Sequence, residues 1–509
     1  MFAHARIFDA EVLPLRGLRA SAHFAWNDTE KMFTPSKTEF LKLAERGNLI
    51  PVYREILADA ETPVSAFQKL RKSGGSFLLE SVEGGEHIGR YSFLGTRPRK
   101  VIRAEAGATG DPLRSVEEEM AKFTPVSVPD LPRFTGGAVG FVGYEYIHHI
   151  EPTVHAPARN DLHTPSLCFM IADTILIFDR LRQTIKIVAN ALIDGKPEAA
   201  YEGACARIDE IITQLEQPIA ARVLEFQREP KPVHVDSNMM PDRHADMVKR
   251  AKEYIRAGDI IQVVLAQRFQ AHTNASALDV YRALRSVNPS PYMFLLDFGD
   301  FQLVGASPEV HVRCEERNVE IRPIAGTRWR GKTPEEDARL EKELLADEKE
   351  RAEHLMLVDL ARNDIGRVCD YGSVKVDEFM VVERYSHVMH IVSNVTGKLH
   401  GHRNVYDLMR ATFPAGTVSG APKIRAMQII SELEATQRGP YAGAVGYFSF
   451  NGNLDSCITL RTALLKDGIA YVQAGGGIVA DSDPQYEFNE TVNKAKAMIK
   501  AVALAESFR

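Results

Sequence analysis

Cysteine is scarce in this chain: five residues (Cys168, Cys205, Cys314, Cys369 and Cys457) among 509, none in a C-x-x-C pair. A scattered, odd-numbered set excludes a disulfide framework and a zinc knuckle, and it fits a reducing cytoplasm. No apolar run approaches the roughly 18 residues that a membrane span requires. Neither charge sign dominates, because 62 Lys+Arg face 68 Asp+Glu for a formal charge of −6. Such a balance offers no general field for nucleic acid, and neither a nucleic-acid nor a membrane partner is expected. Internal repeats and low-complexity tracts are also missing. In a chain of this kind the N-x-[ST] matches at Asn274, Asn394 and Asn489 are chance.

What is present is ordinary globular material, 45% hydrophobic and 26% charged, which excludes a disordered chain. The first 31 residues carry arginines together with Asp9 and Glu11 and have no apolar signal core. They are expected to be a dispensable extension, with Met32 as a second start. After Met32, Thr34 or Ser36 is placed to cap an amphipathic helix bearing Phe40, Leu41 and Leu43. Residues 32–217 read as one unit of mixed strands and helices. Its strands include SFLLES (76–81), RYSFLG (90–95) around the turn EGGEH, a glycine-punctuated strand in 134–146 and a hairpin over 174–192; a helix over 201–217 closes it. Pro218, Pro230 and Pro232 mark a linker over 218–240. A second unit, 241–509, opens with a helix over 241–259 and continues with many consecutive strands. Consecutive strands favour an α+β fold, mostly antiparallel sheets flanked by helices, over a doubly wound parallel sheet.

One motif misleads. GTRWRGKT (326–333) matches G-x-x-x-x-G-K-[ST] letter for letter. A phosphate loop needs compact residues and a helix start that welcomes an anion. Here Arg328, Trp329 and Arg330 fill the loop, and Glu335, Glu336 and Asp337 follow Pro334. An acidic first turn repels a triphosphate. A strand end, a basic loop and a capped helix are expected instead.

The informative pattern is a pair of carboxylate pairs. Glu350 and Glu353 share a face of a helix expected over 342–364, and Glu487 and Glu490 repeat the spacing in a helix over 483–502. Glu-x-x-Glu is commonly a solvated face. In this chain Glu353 runs into the apolar HLMLVDL, and the second pair follows the glycine-rich stretch 474–484, expected to be a loop at a cleft. Hard oxygen ligands with open positions suit Mg²⁺ rather than zinc. Arg461, in what reads as the strand ITLRTA, needs an anion if buried. Lys494 and Lys423 are further candidates for an anionic substrate, and His390 is either a core histidine or an acid/base.

Together these segments resemble the chorismate-utilising enzymes, most closely the anthranilate synthase large subunits. The resemblance rests on GDIIQVVLAQR (258–268), SPE (307–309), RPIAGTRWRG (322–331), ERAEHLMLVDLARNDIGRV (350–368), RYSHVMH (384–390), FPAGTVSGAPK (413–423), LRTA (460–463) and AGGGIVADSDPQYEFNET (474–491). It implies a layered sandwich of antiparallel sheets flanked by helices. It further implies Mg²⁺ on Glu353 and Glu490, with Glu350 and Glu487 acting directly or through bound water. Lys494 and the Gly326–Thr327 backbone would support the ring carboxylate of chorismate. Tyr441, Arg461 and Gly475, Gly476 and Gly477 would hold the enolpyruvyl carboxylate. Ammonia would add at C2 while Glu309, kept protonated by partial burial, assists departure of the C4 hydroxyl. His390 and Thr417 are similar to residues near the later loss of the C2 proton and of pyruvate.

Relatives that add water to C2 place a lysine base where Gln262 stands, and aminodeoxychorismate synthases commonly carry a lysine where Ala325 stands. Ammonia needs no such base, so both positions favour anthranilate formation. Aminodeoxychorismate synthesis and a non-catalytic tryptophan-binding regulator are the alternatives. No G-x-C-x-G elbow occurs in the sequence, so glutamine-derived ammonia is expected from a separate amidotransferase subunit, in a cytoplasmic heterotetramer. Glu80, Ser81, Pro291, Tyr292 and Met293 are similar to contacts for L-tryptophan as a feedback inhibitor.

Overall fold

The computed structural model describes residues 33–508, apart from 73, 82–88, 220–224, 226, 228 and 386–387. The expected N-terminal extension, the turn EGGEH and part of the linker lie outside the described residues. The helix near the start forms over Lys37–Leu43, and Ser36 rather than Thr34 caps it, in a capping box with Glu39.

Two antiparallel sheets carry the described residues, one of 12 strands and one of 10, with 12 α-helices around them. Both sheets run across the 218–240 boundary. In the first, Ser76–Glu80 pairs with Tyr292–Asp297, setting Glu80 opposite Met293. In the second, Gly137–Val142 pairs with Ala444–Ser449. The proline-rich stretch thus divides the chain but not the packing, and each large apolar cluster draws on both segments.

Alternation explains how the layers stack. Val139 and Phe141 enter one apolar cluster while Ala138 and Val142 enter the other. Cys168 and Met170 alternate likewise with Leu167, Phe169 and Ile171 on the neighbouring strand. Successive side chains leave a strand on opposite faces, so a central strand buried on both reads as an unbroken apolar run. The Thr174–Asp179 and Thr184–Leu192 hairpin forms as expected. All five cysteines are unbonded.

Four local expectations change. The helix expected over 342–364 is two helices, Pro334–Ala346 and Glu348–Gly366, because the Asp347 carboxylate accepts from the Lys349 and Glu350 amides and starts a new helix. Residues 474–478 are not a loop but the end of the strand Ile469–Ile478. Among the consecutive strands expected in the second unit, VEIRPIA (319–325) is not one strand but is broken at Arg322–Pro323, with Asn318–Ile321 before it and Ile324–Trp329 after it. Arg461 is not in a strand either; it occupies a left-handed conformation (φ 48°) just before Thr462–Lys466.

A buried ion pair locks the centre. Arg438, 1% exposed, donates Nη2 to Glu434 Oε1 at 2.6 Å and Nε to Oε2 at 2.8 Å. Its remaining donors reach the carbonyls of Val418 and Val264, each at 2.8 Å. Glu434 Oε1 also accepts from the Ala266 amide at 2.8 Å. The Glu145 carboxylate accepts from the Arg438 and Gly439 amides at 2.6 and 2.9 Å, and burial pushes it up to about 7. Each of the three guanidinium nitrogens donates, which offsets its desolvation.

Replacing Arg438 by Met leaves Glu434 buried without its cation. The expected loss is about 3–5 kcal/mol of stability, read as a lower urea midpoint at unchanged m-value. A midpoint equal to that of the parent protein would show the pair to be dispensable.

Candidate active site

The site is built on the end of the strand Ile469–Ile478 and its neighbour Gln262–His272, in a register that sets Gly477 opposite Val264 and Gly475 opposite Ala266. Three successive glycines bare this strand. A Cβ on Gly475 would lie 2.8 Å from the Tyr441 hydroxyl, and one on Gly477 would collide with the Gln262 amide. At Gly476 a Cβ would sit 3.1 Å from both Glu487 Oε2 and Glu490 Oε2. Side chains from three directions therefore close onto backbone here, which only glycine permits.

The second carboxylate pair sits in the first two turns of the helix Pro484–Glu506, capped by Asp483. Glu487 is buried, and its Oε2 has no hydrogen-bond partner. Burial pushes this carboxyl up, opposed by Ser482 and reinforced by Glu490. Glu490 pairs with Lys494 at 2.9 Å, and Lys494 also donates to the Gly475 carbonyl at 3.0 Å.

The first pair sits on Glu348–Gly366. Glu353 Oε1 accepts from Gln262 Nε2 at 3.2 Å. Glu350 faces the strand Ile324–Trp329: Oε1 is 3.2 Å from Arg328 Nη1, and a Cβ on Gly326 (φ 69°) would lie 3.2 Å from Oε2. Burial pushes the Glu350 carboxyl up, with Arg328 opposing and Glu353 adding to it. Among the described residues no three His, Cys, Asp or Glu side chains form one metal-binding cluster. Glu487 and Glu490 lie over Gly476, and Gln262, which lies over Gly477, holds Glu353. An orphaned buried oxygen on Glu487 and the glycine cradle beneath both Glu487 and Glu490 fit a hard divalent cation.

Glu309 stands just before the strand Val310–Glu315, half-buried. Burial pushes its carboxyl up from the ordinary range, against the opposing influence of Thr417, Lys494 and Arg461. The Thr417 hydroxyl is buried and beside it, outside full hydrogen-bond geometry. Arg461 is half-buried and makes no ion pair or hydrogen bond through its guanidinium among the described residues, and burial pushes it down. Its left-handed backbone is fastened by its own carbonyl, which accepts from Ala306 at 3.1 Å. Tyr441 is buried, its ring 5.6 Å from the Arg438 guanidinium carbon.

His390 lies on Val388–Lys398, opposite Thr327. Its Nδ1 is 3.0 Å from the Gly326 carbonyl and 3.1 Å from the Thr327 hydroxyl. A carbonyl only accepts, so Nδ1 carries the proton and Nε2 keeps its lone pair. Burial pushes the imidazole down, so it is neutral near pH 7.

Lys423 does not join this group. It is committed to Asp364 at 2.6 Å and to the carbonyls of Pro414 and Thr412. Glu80, Ser81, Pro291, Tyr292 and Met293 line a separate cavity of about 410 Å³ at the seam between the two chain segments. The Glu80 carboxylate there is already engaged by Arg180, Arg285 and Tyr281. The Walker-like segment is a strand end followed by a helix capped by Thr333, as expected. Sequence reasoning missed Arg328, taken as loop filler, and the Glu434–Arg438 pair, whose i,i+4 spacing was its one available signal.

A family model described as chorismate binding enzyme matches residues 74–500. The chain is 49% identical over 495 residues to the anthranilate synthase component 1 of Acetivibrio thermocellus, covering 94% of this chain and 100% of that one. It is 50% identical over 485 residues to its namesake in Aquifex aeolicus, covering 92% and 98%. The crystal structure of anthranilate synthase component I from Streptococcus pneumoniae superposes with a TM-score of 0.74 at 39% identity, over 87% of this chain and 99% of that one. The menaquinone-specific isochorismate synthase MenF of Escherichia coli shares the fold at 18% identity and a TM-score of 0.68, over 92% and 98%. This chain therefore belongs to the chorismate binding enzymes, in their anthranilate synthase component 1 branch.

Proposed function

We propose that the chain converts chorismate and ammonia to anthranilate, pyruvate and water in tryptophan biosynthesis, with Mg²⁺ as cofactor. Arg461 carries the reading: a half-buried guanidinium with no protein partner among the described residues, next to a carboxyl pushed toward its protonated form. Such a cation awaits a planar anion, and the enolpyruvyl carboxylate supplies one. The Tyr441 hydroxyl and the Gly475–Gly477 backbone complete that end. Lys494 and the Gly326–Thr327 backbone support the ring carboxylate.

Glu309 donates its proton to the C4 hydroxyl as ammonia adds at C2, so water leaves rather than hydroxide. The neutral His390, with its Nε2 lone pair, suits removal of the C2 proton as pyruvate departs and the ring becomes aromatic. Gln262 holds Glu353 and offers no base to activate water, consistent with ammonia as the nucleophile. Glu353 and Glu490 would hold the cation, assisted by Glu350 and Glu487. Bound Mg²⁺ would draw electron density from the ring through its carboxylate. The component 1 naming of the relatives supports ammonia delivery by a separate glutamine amidotransferase chain, and the pair would work in the cytoplasm. The seam cavity, lined by Tyr292, Met293 and Ser81, is large enough for L-tryptophan as feedback inhibitor.

Glu309→Gln should lower kcat by about 10²–10⁴-fold with little change in the chorismate KM, measured by anthranilate fluorescence. A kcat within twofold of the parent rules Glu309 out as the acid. The acid must be protonated, so kcat falls as pH rises through the raised Glu309 pKa. Thr417→Val removes a group that lowers this pKa, and the alkaline limb should move to higher pH; a shift the other way would contradict the assignment. Glu353→Ala and Glu490→Ala should each abolish turnover and also weaken Mn²⁺ binding seen by electron paramagnetic resonance. Retained Mn²⁺ affinity in both would remove the metal assignment. L-Tryptophan should inhibit the parent enzyme, and Ser81→Phe, which fills the seam cavity, should raise the inhibitory concentration at least about tenfold with kcat intact. Activity insensitive to tryptophan in the parent would end the feedback reading.

A further inference from the structure

Each glutamate pair has one carboxylate tied to a cation of its own chain. Glu490 is tied to Lys494, which the proposed chemistry uses for substrate. Glu350 is tied to Arg328, which that chemistry does not use. Arg328 does more than touch Glu350. Its Nη2 pairs with Asp347 at 2.7 Å, its Nε lies 3.4 Å from Glu343, and its Nη1 also donates to the Thr327 carbonyl at 3.0 Å. Asp347 is in turn the cap whose carboxylate accepts from the Glu350 amide at 3.1 Å. One guanidinium thus fixes the start of the helix Glu348–Gly366, the rotamer of Glu350 and the backbone of the Gly326–Thr327 segment. It can do so because a guanidinium presents donors in a planar fork, which an ammonium lacks.

The consequence concerns metal affinity. Glu350 has its Oε1 engaged by Arg328, so its charge is compensated within the chain, while Oε2 lies over Gly326. Glu353, three residues on, is paired with no cation among the described residues. We infer that Arg328 is a positioning residue of the cation site: it holds Glu350 as an outer, charge-compensated carboxylate, so that the divalent ion binds weakly until the substrate carboxylate adds its own charge. This inference rests on the Mg²⁺ reading above.

The test is Mn²⁺ titration of the intact protein by electron paramagnetic resonance, with and without chorismate. Arg328→Met should bind Mn²⁺ about tenfold more tightly than the parent without chorismate, because the Glu350 carboxylate, released from its cation, then acts on the ion with its full charge from a few ångströms away. The affinity with chorismate bound should stay the same, so the gain from chorismate shrinks by the same factor, and by reciprocity so does the gain in chorismate affinity from Mn²⁺. Arg328→Lys keeps the charge without the fork and should restore the weak substrate-free affinity only in part. In a Glu350→Gln background, adding Arg328→Met should change Mn²⁺ affinity less than twofold, because the effect runs through Glu350. Equal or weaker substrate-free binding in Arg328→Met overturns the inference, as does a gain that survives Glu350→Gln. Arg328→Gln, which retains a polar side chain, serves the same titration if the Met variant does not fold. Should the parent protein fail to bind Mn²⁺ even with chorismate, it is the metal reading that fails.

Discussion

The Glu434–Arg438 pair is the constraint on which the rest of the site depends. Through one guanidinium and one carboxylate it joins the strand Gln262–His272, at Val264 and Ala266, to the carbonyl of Val418. Val418 follows Thr417, the hydroxyl beside Glu309. Through its own amide Arg438 is held by Glu145, and three residues further on the chain delivers Tyr441. The strand so anchored carries Gln262 and pairs with the three glycines. Polar contacts in a dry interior are directional, whereas apolar packing alone tolerates small slides. A site whose parts come from many distant stretches of chain needs that directionality.

Around this anchor the charges are sorted by burial. Glu309 and Glu487 are pushed toward their protonated forms by desolvation. Glu350 and Glu490 have cations to hold them. Arg461 has none among the described residues. In the proposed function a cleft arranged this way would keep most of its charges compensated and leave Arg461 and Glu353 free for an anion and a cation. In the function proposed above, the same residue type would serve as acid, ligand and support according to its surroundings.

Much of this was legible in the sequence, and the failures have physical causes. The antiparallel α+β class followed from consecutive apolar runs, and the i,i+3 glutamates identified both helices of the site. The break at Asp347 was hidden because a cap inside an otherwise helical pattern, with good helix formers on both sides, leaves no gap in periodicity. The glycines 475–477 read as a loop because glycine normally weakens a strand; here they are needed where other side chains press on the backbone. Arg461 looked like a strand residue because its left-handed conformation has no signature in an arginine. Arg328 was invisible for a different reason: its partners lie 15 to 22 positions away, and only the fold brings them to it.

The shared sheets also set the order of events during synthesis. Gly137–Val142 finds its partner in Ala444–Ser449, some 300 residues later in the chain. At roughly 5–20 residues per second the ribosome takes about 15–60 s to supply it. For that interval the N-terminal strands that end at this edge have their apolar faces and unpaired amides exposed. The nascent protein must be guarded, or kept loosely collapsed, until its last fifth emerges. A chain that shares its sheets from end to end is for that reason a slow and vulnerable folder at birth.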